Sequence, residues 1–280
     1  MKSVKVKCPA KINLTLEVVN KREDGYHNIK SIMQLVSLYD YLTISAEKSE
    51  TPEIILSGTS DEIPYDEKNL VYKAAKLYME KVGMTDVKLD IHIEKNIPIA
   101  AGLAGGSTDG AGTIMGLNYL FEALDNKEMN ELCASLGSDL NVCLNGGCSL
   151  ATSRGEVTKK LPAAEYPVTL IKPKNLGISA KEAYTKYALK KFKPKYEMTE
   201  KMFVALLDRE DITKFLYNDL EDAVFGDYKE LQEIKNVIPE AIMSGSGPTY
   251  FVLSDLDIDL GEEYQIIKGL NFIQTGTEII

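Results

Sequence analysis

The stretch "NIPIAAGLAGGSTDGAG", residues 96–112, sets Gly102, Gly105, Gly106, Gly110 and Gly112 among small residues and runs directly into a helical pattern. Glycine admits positive φ and lets backbone come close to a neighbour. A helix start exposes unpaired N–H groups and a positive dipole end, worth about 0.3–1 kcal/mol per neighbouring charge. Strand, glycine loop and helix start in succession therefore make a phosphate cradle. A tight turn before a closely packed helix explains the same residues without any ligand. The two common phosphate motifs are absent: no lysine follows the glycines as in a P-loop, and GLAGGST does not supply GxGxxG with an acidic residue about twenty positions later.

Outward from this loop, the N-terminal side is rich in strands. In "CPAKINLTLEV" (8–18), Ala10, Ile12, Leu14, Leu16 and Val18 alternate with Lys11, Asn13, Thr15 and Glu17, a period-2 strand with one apolar face. "EDGYH" (23–27) supplies an Asp-Gly turn, and strand-like runs follow at 29–46 and 53–57. The period then changes, with Leu70, Ala74, Leu77 and Tyr78 on one helical face and Gly83 as the C-terminal cap. "VKLDIHIEK" (87–95) returns to a strand, with His92 on its surface between Ile91 and Ile93. Helices are expected over 108–124 and 126–136, and a hairpin over 146–161.

Beyond residue 165 the pattern predicts a strand at 167–172 and helices near 180–190, 198–207, 211–224 and 228–236. A second glycine-rich break, "SGSGPT" (244–249), precedes a strand, and a helix near 261–268 precedes the last one. These elements predict an α+β chain in two domains, 1–158 and 159–280.

Composition narrows the function. The 280 residues are 44% hydrophobic and 26% charged, with a net charge of −10. Nucleic-acid binding wants a basic footprint, so an anionic ligand here must be met by local lysines and backbone N–H groups. No uncharged apolar run approaches a membrane span, no secretory signal is visible, and the four cysteines show no metal-ligand pairing. A cytoplasmic protein with free thiols is expected.

Three further groups carry chemistry. Lys11 and Asn13 share one side of the first strand, a side that is either solvated or lines a cleft. Tyr26 and His27 follow the Asp-Gly turn, as exposed turn residues or as an aromatic plate with a hydrogen-bonding neighbour. Asp139, in "LGSDLNVCL" (136–144), precedes a short helix; it either caps that helix or accepts a proton from a substrate hydroxyl.

"PAKINLTLEV" with "REDGYH", "IPIAAGLAGGSTDGA", "LGSDL" and "MSGSGPT", in this order and spacing, resemble the GHMP kinase superfamily from residue 8 to about 253. "PAKINL" with "DGYH" points to its branch acting on cytidine-diphosphate alcohols of the non-mevalonate isoprenoid route. The resemblance implies a ribosomal-S5-like N-terminal domain with a left-handed βαβ crossover, beside a ferredoxin-like C-terminal domain. It implies ATP at Pro98, Ile99, Ala100, Ala101, Gly102, Leu103, Ala104, Gly105, Gly106, Ser107 and Thr108. Mg²⁺ would bridge the phosphates, with Ser107 as a candidate ligand. Lys11 and Asp139 would form the catalytic pair. Asn13, Tyr26, His27 and Tyr184 would meet the cytidine group, with the base between Tyr26 and Tyr184. Ser244, Gly245, Ser246 and Gly247 would help close the phosphate site. Partners would be small molecules only, and the protein a monomer or homodimer.

The chain departs from the pattern in places. Leu140-Asn141 stands where Val-Pro is usual, which implies a looser setting for Asp139. Ala180 replaces a threonine, and Ala100, Ala101 and Ala104 replace glycines, acceptable where φ is negative. A kinase of another alcohol (homoserine or mevalonate type), a related ATP-consuming decarboxylase and a catalytically silent nucleotide-binding module are the rival readings; "DGYH" and Tyr184 argue against the first, released CO2 would reveal the second, and Lys11 with Asp139 argues against the third.

Overall fold

The computed structural model describes residues 2–190 and 197–280. Its first half runs β1 (Lys2–Lys21), β2 (His27–Lys48), β3 (Glu53–Gly58), α1 (Leu70–Val82), β4 (Val87–Glu94), α2 (Gly105–Phe121), α3 (Asn126–Leu136), α4 (Leu140–Asn145), β5 (Cys148–Ser153) and β6 (Val157–Lys160). The second runs β7 (Pro167–Pro173), α5 (Ala180–Lys190), α6 (Met198–Asp208), β8 (Tyr217–Asn218), α7 (Asp219–Val224), α8 (Lys229–Val237), β9 (Ile242–Met243), β10 (Tyr250–Val252), β11 (Tyr264–Asn271) and β12 (Glu278–Ile279). The larger sheet has the path β12-β1-β2-β4-β3, with β5 on β2, β6 on β5 and β8 on β1. The parallel pair β3 and β4 is joined through α1. The second sheet is antiparallel, in the order β11-β7-β10-β9.

The long hairpin of β1 and β2 organises the molecule. Its turn contains Gly25 at φ +87°, a conformation open to glycine at little cost. The register breaks between Pro9 and Ala10 and again between Asn13 and Thr15; such irregularities bend a strand and re-aim its side chains. As a result β1 feeds three cores. Val4, Val6 and Cys8 pack under α1 and α2. Ala10, Ile12 and Leu14 pack with Leu170, Met202 and Phe251 from the second half. Leu16 and Val18 pack with Leu220, Leu231 and Tyr250. The other side of the strand is buried as well: Lys11, Asn13, Thr15 and Glu17 are all at most 4% exposed. The solvated reading of that face therefore fails. Its outer end is covered by α6, whose Met198 and Thr199 N–H groups donate to Glu17 Oε1.

The glycines of α2 answer to packing. A Cβ on Gly112 would stand 2.3 Å from Cys8 Sγ, and one on Gly116 2.6 Å from Ile44 Cδ1. Helix and sheet meet too closely for any larger residue there. α1 begins with Asn69 accepting from Val71 N–H, and it ends, as its sequence predicts, on Gly83 at φ +71°.

Two expected helices are corrected. Residues 211–224 form a 3-10 turn, the bridge strand β8 and the short α7. Residues 264–271 form β11, not a helix, because "YQIIKGLN" pairs along β7 and Gly269 at φ +71° marks its register break. The expected division at 158/159 runs through β6. β8 and β12 come back from the second half to pair with β1.

Candidate active site

β1, α2, α4 and the loop after β9 converge on a cavity of ≈ 870 Å³ lined by Lys11, Asn13, Gly102, Asp139, Tyr184 and Gly245 among others. This lies within the range of small-molecule sites, roughly 300–1,000 Å³. Lys11 is 4% exposed. Its ammonium donates to Asn13 Oδ1 at 2.6 Å and to Gly102 O at 3.1 Å, and lies 3.5 Å from Asp139 Oδ2. That last distance exceeds the ~2.7–2.9 Å of a charge-assisted hydrogen bond. Two of the three ammonium donors are thus committed to the protein, and the third faces Asp139 across a wider gap.

Asp139 stands at the N-cap of α4 but its side chain caps nothing, so the capping reading fails. The carboxylate is 27% exposed and faces the cavity. Leu140 is fully buried and packs against Gly110 of α2, and Asn141 Nδ2 donates to Glu156 O. A buried leucine anchors the start of α4 where a proline would have stiffened it.

In the glycine loop, α2 starts after Ala104, and no side chain caps it. Its first-turn N–H groups are therefore available to an anion. Ala100, Gly102 and Ala104 have φ of +49°, +74° and +59°. Ala100 and Ala104 do not meet the condition of negative φ under which alanine is acceptable; each carries about 1–2 kcal/mol of left-handed strain, the kind stored at functional sites. Of the eleven expected loop residues, Gly102, Ala104 and Ser107 line the cavity. Ala101, Leu103 and Thr108 are buried; Pro98, Ile99, Ala100, Gly105 and Gly106 do not line it.

The second loop closes onto the first. Ser244 Oγ donates to Gly102 O at 3.0 Å and accepts from Asn13 N–H at 3.3 Å. A Cβ on Gly102 would lie 2.1 Å from Ser244 O, so only glycine permits this approach. Gly245 and Ser246 line the cavity; Ser244 and Gly247 support it from behind.

At the far end, His27 and Tyr184 stack, with ring centroids 4.9 Å apart and planes 13° from parallel. Burial, helped by the positive charge of Lys21, lowers the His27 pKa from its usual 6.5. Burial, with the negative charges of Asp139 and Asp219, raises that of the Tyr184 phenol. Tyr26 is exposed, with the Arg154 guanidinium 5.1 Å from its ring centroid. Tyr184 thus lies on His27, while Tyr26 stands at the rim of the same cavity. Asn13 also differs from a free ligand arm, because its Oδ1 is held by Lys11 and its Nδ2 donates to Ser31 Oγ.

Sequence reasoning missed the cations of the rim. Lys21, Arg154 and Lys181 line the cavity with Lys11, against the carboxylates Asp24 and Asp139. They supply the local positive charge that an acidic chain needs for anions. Lys181 lies three positions from Tyr184 and could have been picked out on that ground. Arg154 could not, since only the β5–β6 turn brings it to Tyr26.

Among the described residues, no group of three or more His, Cys, Asp or Glu is placed to hold a metal, and no helix is long and apolar enough to cross a membrane. All four cysteines are free and buried.

Comparison with known proteins shows the family. The model of the GHMP kinases N terminal domain matches residues 69–149. A Caldicellulosiruptor saccharolyticus protein named 4-diphosphocytidyl-2-C-methyl-D-erythritol kinase is 42% identical, over 88% of this chain and 86% of that one. A Clostridioides difficile protein of the same name is 38% identical, over 100% and 98%. A crystal structure of 4-(cytidine 5'-diphospho)-2C-methyl-D-erythritol kinase superposes with a TM-score of 0.73 at 32% identity, covering 89% of each chain. A homoserine kinase from Cytophaga hutchinsonii reaches a TM-score of 0.76 at 19% identity, covering 100% and 98%, a likeness of fold alone.

Proposed function

The chain belongs to the 4-diphosphocytidyl-2-C-methyl-D-erythritol kinases of the GHMP kinase superfamily, and from that membership and the geometry of its cavity we infer how it works. It is an ATP-dependent kinase that phosphorylates the 2-hydroxyl of 4-diphosphocytidyl-2-C-methyl-D-erythritol, a step of non-mevalonate isoprenoid precursor biosynthesis. The observation that carries the reading is the Lys11–Asp139 pair, 3.5 Å apart where the two glycine loops meet.

Phosphoryl transfer has a loose transition state, so the protein mainly positions the reactants and stabilises charge. Asp139 accepts the proton of the attacking hydroxyl, a contribution of typically about 10²–10⁴-fold. Lys11 is held by Asn13 Oδ1 and Gly102 O, and its third donor meets the γ-phosphoryl oxygens and the developing charge on the acceptor oxygen. Asn13 thus acts chiefly by orienting Lys11. The N–H groups at the start of α2 hold the phosphates of ATP.

The donor set suits a magnesium ion that arrives with ATP, because Mg²⁺ is commonly bound through substrate phosphates, water and few protein groups. The Ser107 hydroxyl, on the cavity wall, is its candidate protein ligand. Bound there, Mg²⁺ would neutralise phosphate charge.

Tyr184 is the platform for cytosine, and stacking of this kind is worth about 1–3 kcal/mol per base. His27, whose pKa burial lowers, offers in its neutral form one ring nitrogen as donor and one as acceptor to the base edge. Tyr26 covers the cytidine from the rim, and Lys21, Arg154 and Lys181 face the diphosphate. The direct test is kcat/KM with ATP-Mg²⁺ for the cytidine-diphosphate alcohol, homoserine and mevalonate. Turnover of the first alone is expected; turnover of either other alcohol without the first would overturn the reading.

A further inference from the structure

Lys11 is walled on one side by backbone. A Cβ on Gly245 would stand 3.1 Å from Gly102 O, 3.2 Å from Lys11 Nζ and 3.3 Å from Asn13 Oδ1. Gly245 sits at φ +56°, in a loop between strands of two and three residues. The internal bonds of the loop are those of a turn, Ser244 N–H to Thr249 O and Gly247 N–H to Ser244 O.

The strongest external tie comes from Asn218. The residue is 3% exposed, and its Nδ2 donates to Met243 O at 2.6 Å and to Gly245 O at 2.8 Å. Its Oδ1 accepts from Leu220 N–H at 2.9 Å and starts α7. Its backbone pairs with Leu16 of β1, the strand that carries Lys11. One turn further on, Glu221 Oε2 accepts from Met243 N–H at 2.9 Å. The strand bearing the ammonium is thus tied, through Asn218, to the loop residue beside the ammonium, Gly245, where even an added Cβ would stand 3.2 Å from Lys11 Nζ. Both amide protons and the carbonyl of Asn218 are in use. Aspartate in its place would set a carboxylate against two carbonyls, and serine would keep only the cap.

Building on the kinase reading above, we propose that Asn218 is a positioning residue for phosphoryl transfer. It touches neither substrate nor ATP. By fixing Gly245, it fixes where the Lys11 ammonium stands relative to Asp139 and the γ-phosphate. Displacement of a reacting group by about 1 Å costs on the order of 10²-fold.

The test is steady-state kinetics of Asn218→Ser and Asn218→Asp beside the wild type, with ATP-Mg²⁺ and the cytidine-diphosphate alcohol, together with thermal melts. Both substitutions keep an acceptor for Leu220 N–H, so α7 keeps its cap. The expected result is a kcat lowered about 10- to 100-fold with both KM values within about threefold of wild type, below the melting transition. A purely structural residue would lower the melting temperature without splitting kcat from KM. A kcat close to wild type, a loss confined to KM, or failure of both variants to fold would overturn the proposal. A wild type that fails to turn over the cytidine-diphosphate alcohol would instead count against the kinase reading itself.

Discussion

Asp139→Asn isolates the charge of one carboxylate at nearly constant volume. Two unit charges 3.5 Å apart, the Lys11–Asp139 separation, attract by about 4–5 kcal/mol gross at an effective dielectric of 20. Loss of a general base costs typically 10²–10⁴-fold, or about 2.7–5.4 kcal/mol of barrier. The general-base figure sets the expectation, a fall in kcat of about 10³-fold, the middle of that range. Stability should hardly change. The Asp139 side chain caps nothing, and Lys11 keeps Asn13 Oδ1 and Gly102 O as acceptors. A partly exposed ion pair contributes about 0–1 kcal/mol, so the melting temperature should move by no more than about 3 °C. ADP release and phosphorylated product are measured together at saturating ATP and alcohol, and KM for ATP should stay within about threefold. A variant keeping more than about a tenth of wild-type kcat would refute the base assignment. So would an intact kcat with a weakened KM for ATP.

Gly102→Ala would set a Cβ 2.1 Å from Ser244 O at φ +74°. The two glycine loops must then part; kcat should fall by about 10² or more and the melting temperature should drop, and wild-type values for both would contradict the loop junction. Tyr184→Ala should raise KM for the cytidine-diphosphate alcohol about 5- to 150-fold, the equivalent of one stacked base, while kcat and KM for ATP hold; steady-state kinetics with each substrate varied decides it. The folded pKa of His27 lies below its usual 6.5, so between the two values the unfolded chain binds more protons. Stability from this site is complete above pH 6.5 and is lost as pH falls toward the folded pKa. The melting temperature of wild type relative to His27→Gln should therefore be flat at alkaline pH and decline on acidification; an NMR titration midpoint at or above 6.5 would reverse the sign.

Local signals made much of this molecule legible. The Asp-Gly turn between two alternating runs predicts the β1–β2 hairpin, and the spacing Leu70, Ala74, Leu77 with Gly83 predicts α1. The glycine loop combines its two readings: Gly102 serves close approach to the second loop, whereas Gly112 and Gly116 serve helix-on-sheet packing. Features decided by tertiary partners were not legible. The polar side of β1 alternates as a solvated strand does, and nothing local shows that α6 covers part of it. "YQIIKGLN" has apolar residues that suit a helix or a strand, and its pairing with β7 decides for the strand. Asn218 lies in a run that reads as helix, and its role depends on Met243 and Gly245, which only the fold brings near. The stack of His27 on Tyr184 was not legible either, because only the fold brings the turn after β1, which leaves Tyr26 at the rim, against α5.

The most direct measurement is a crystal structure of the protein with a non-hydrolysable ATP analogue and the cytidine-diphosphate alcohol. The account predicts the acceptor hydroxyl within about 3.2 Å of an Asp139 carboxylate oxygen, with Lys11 Nζ hydrogen-bonded to the γ-phosphoryl group. A γ-phosphoryl group and hydroxyl meeting anywhere else, with no ligand atom at the Lys11–Asp139 pair, would contradict it.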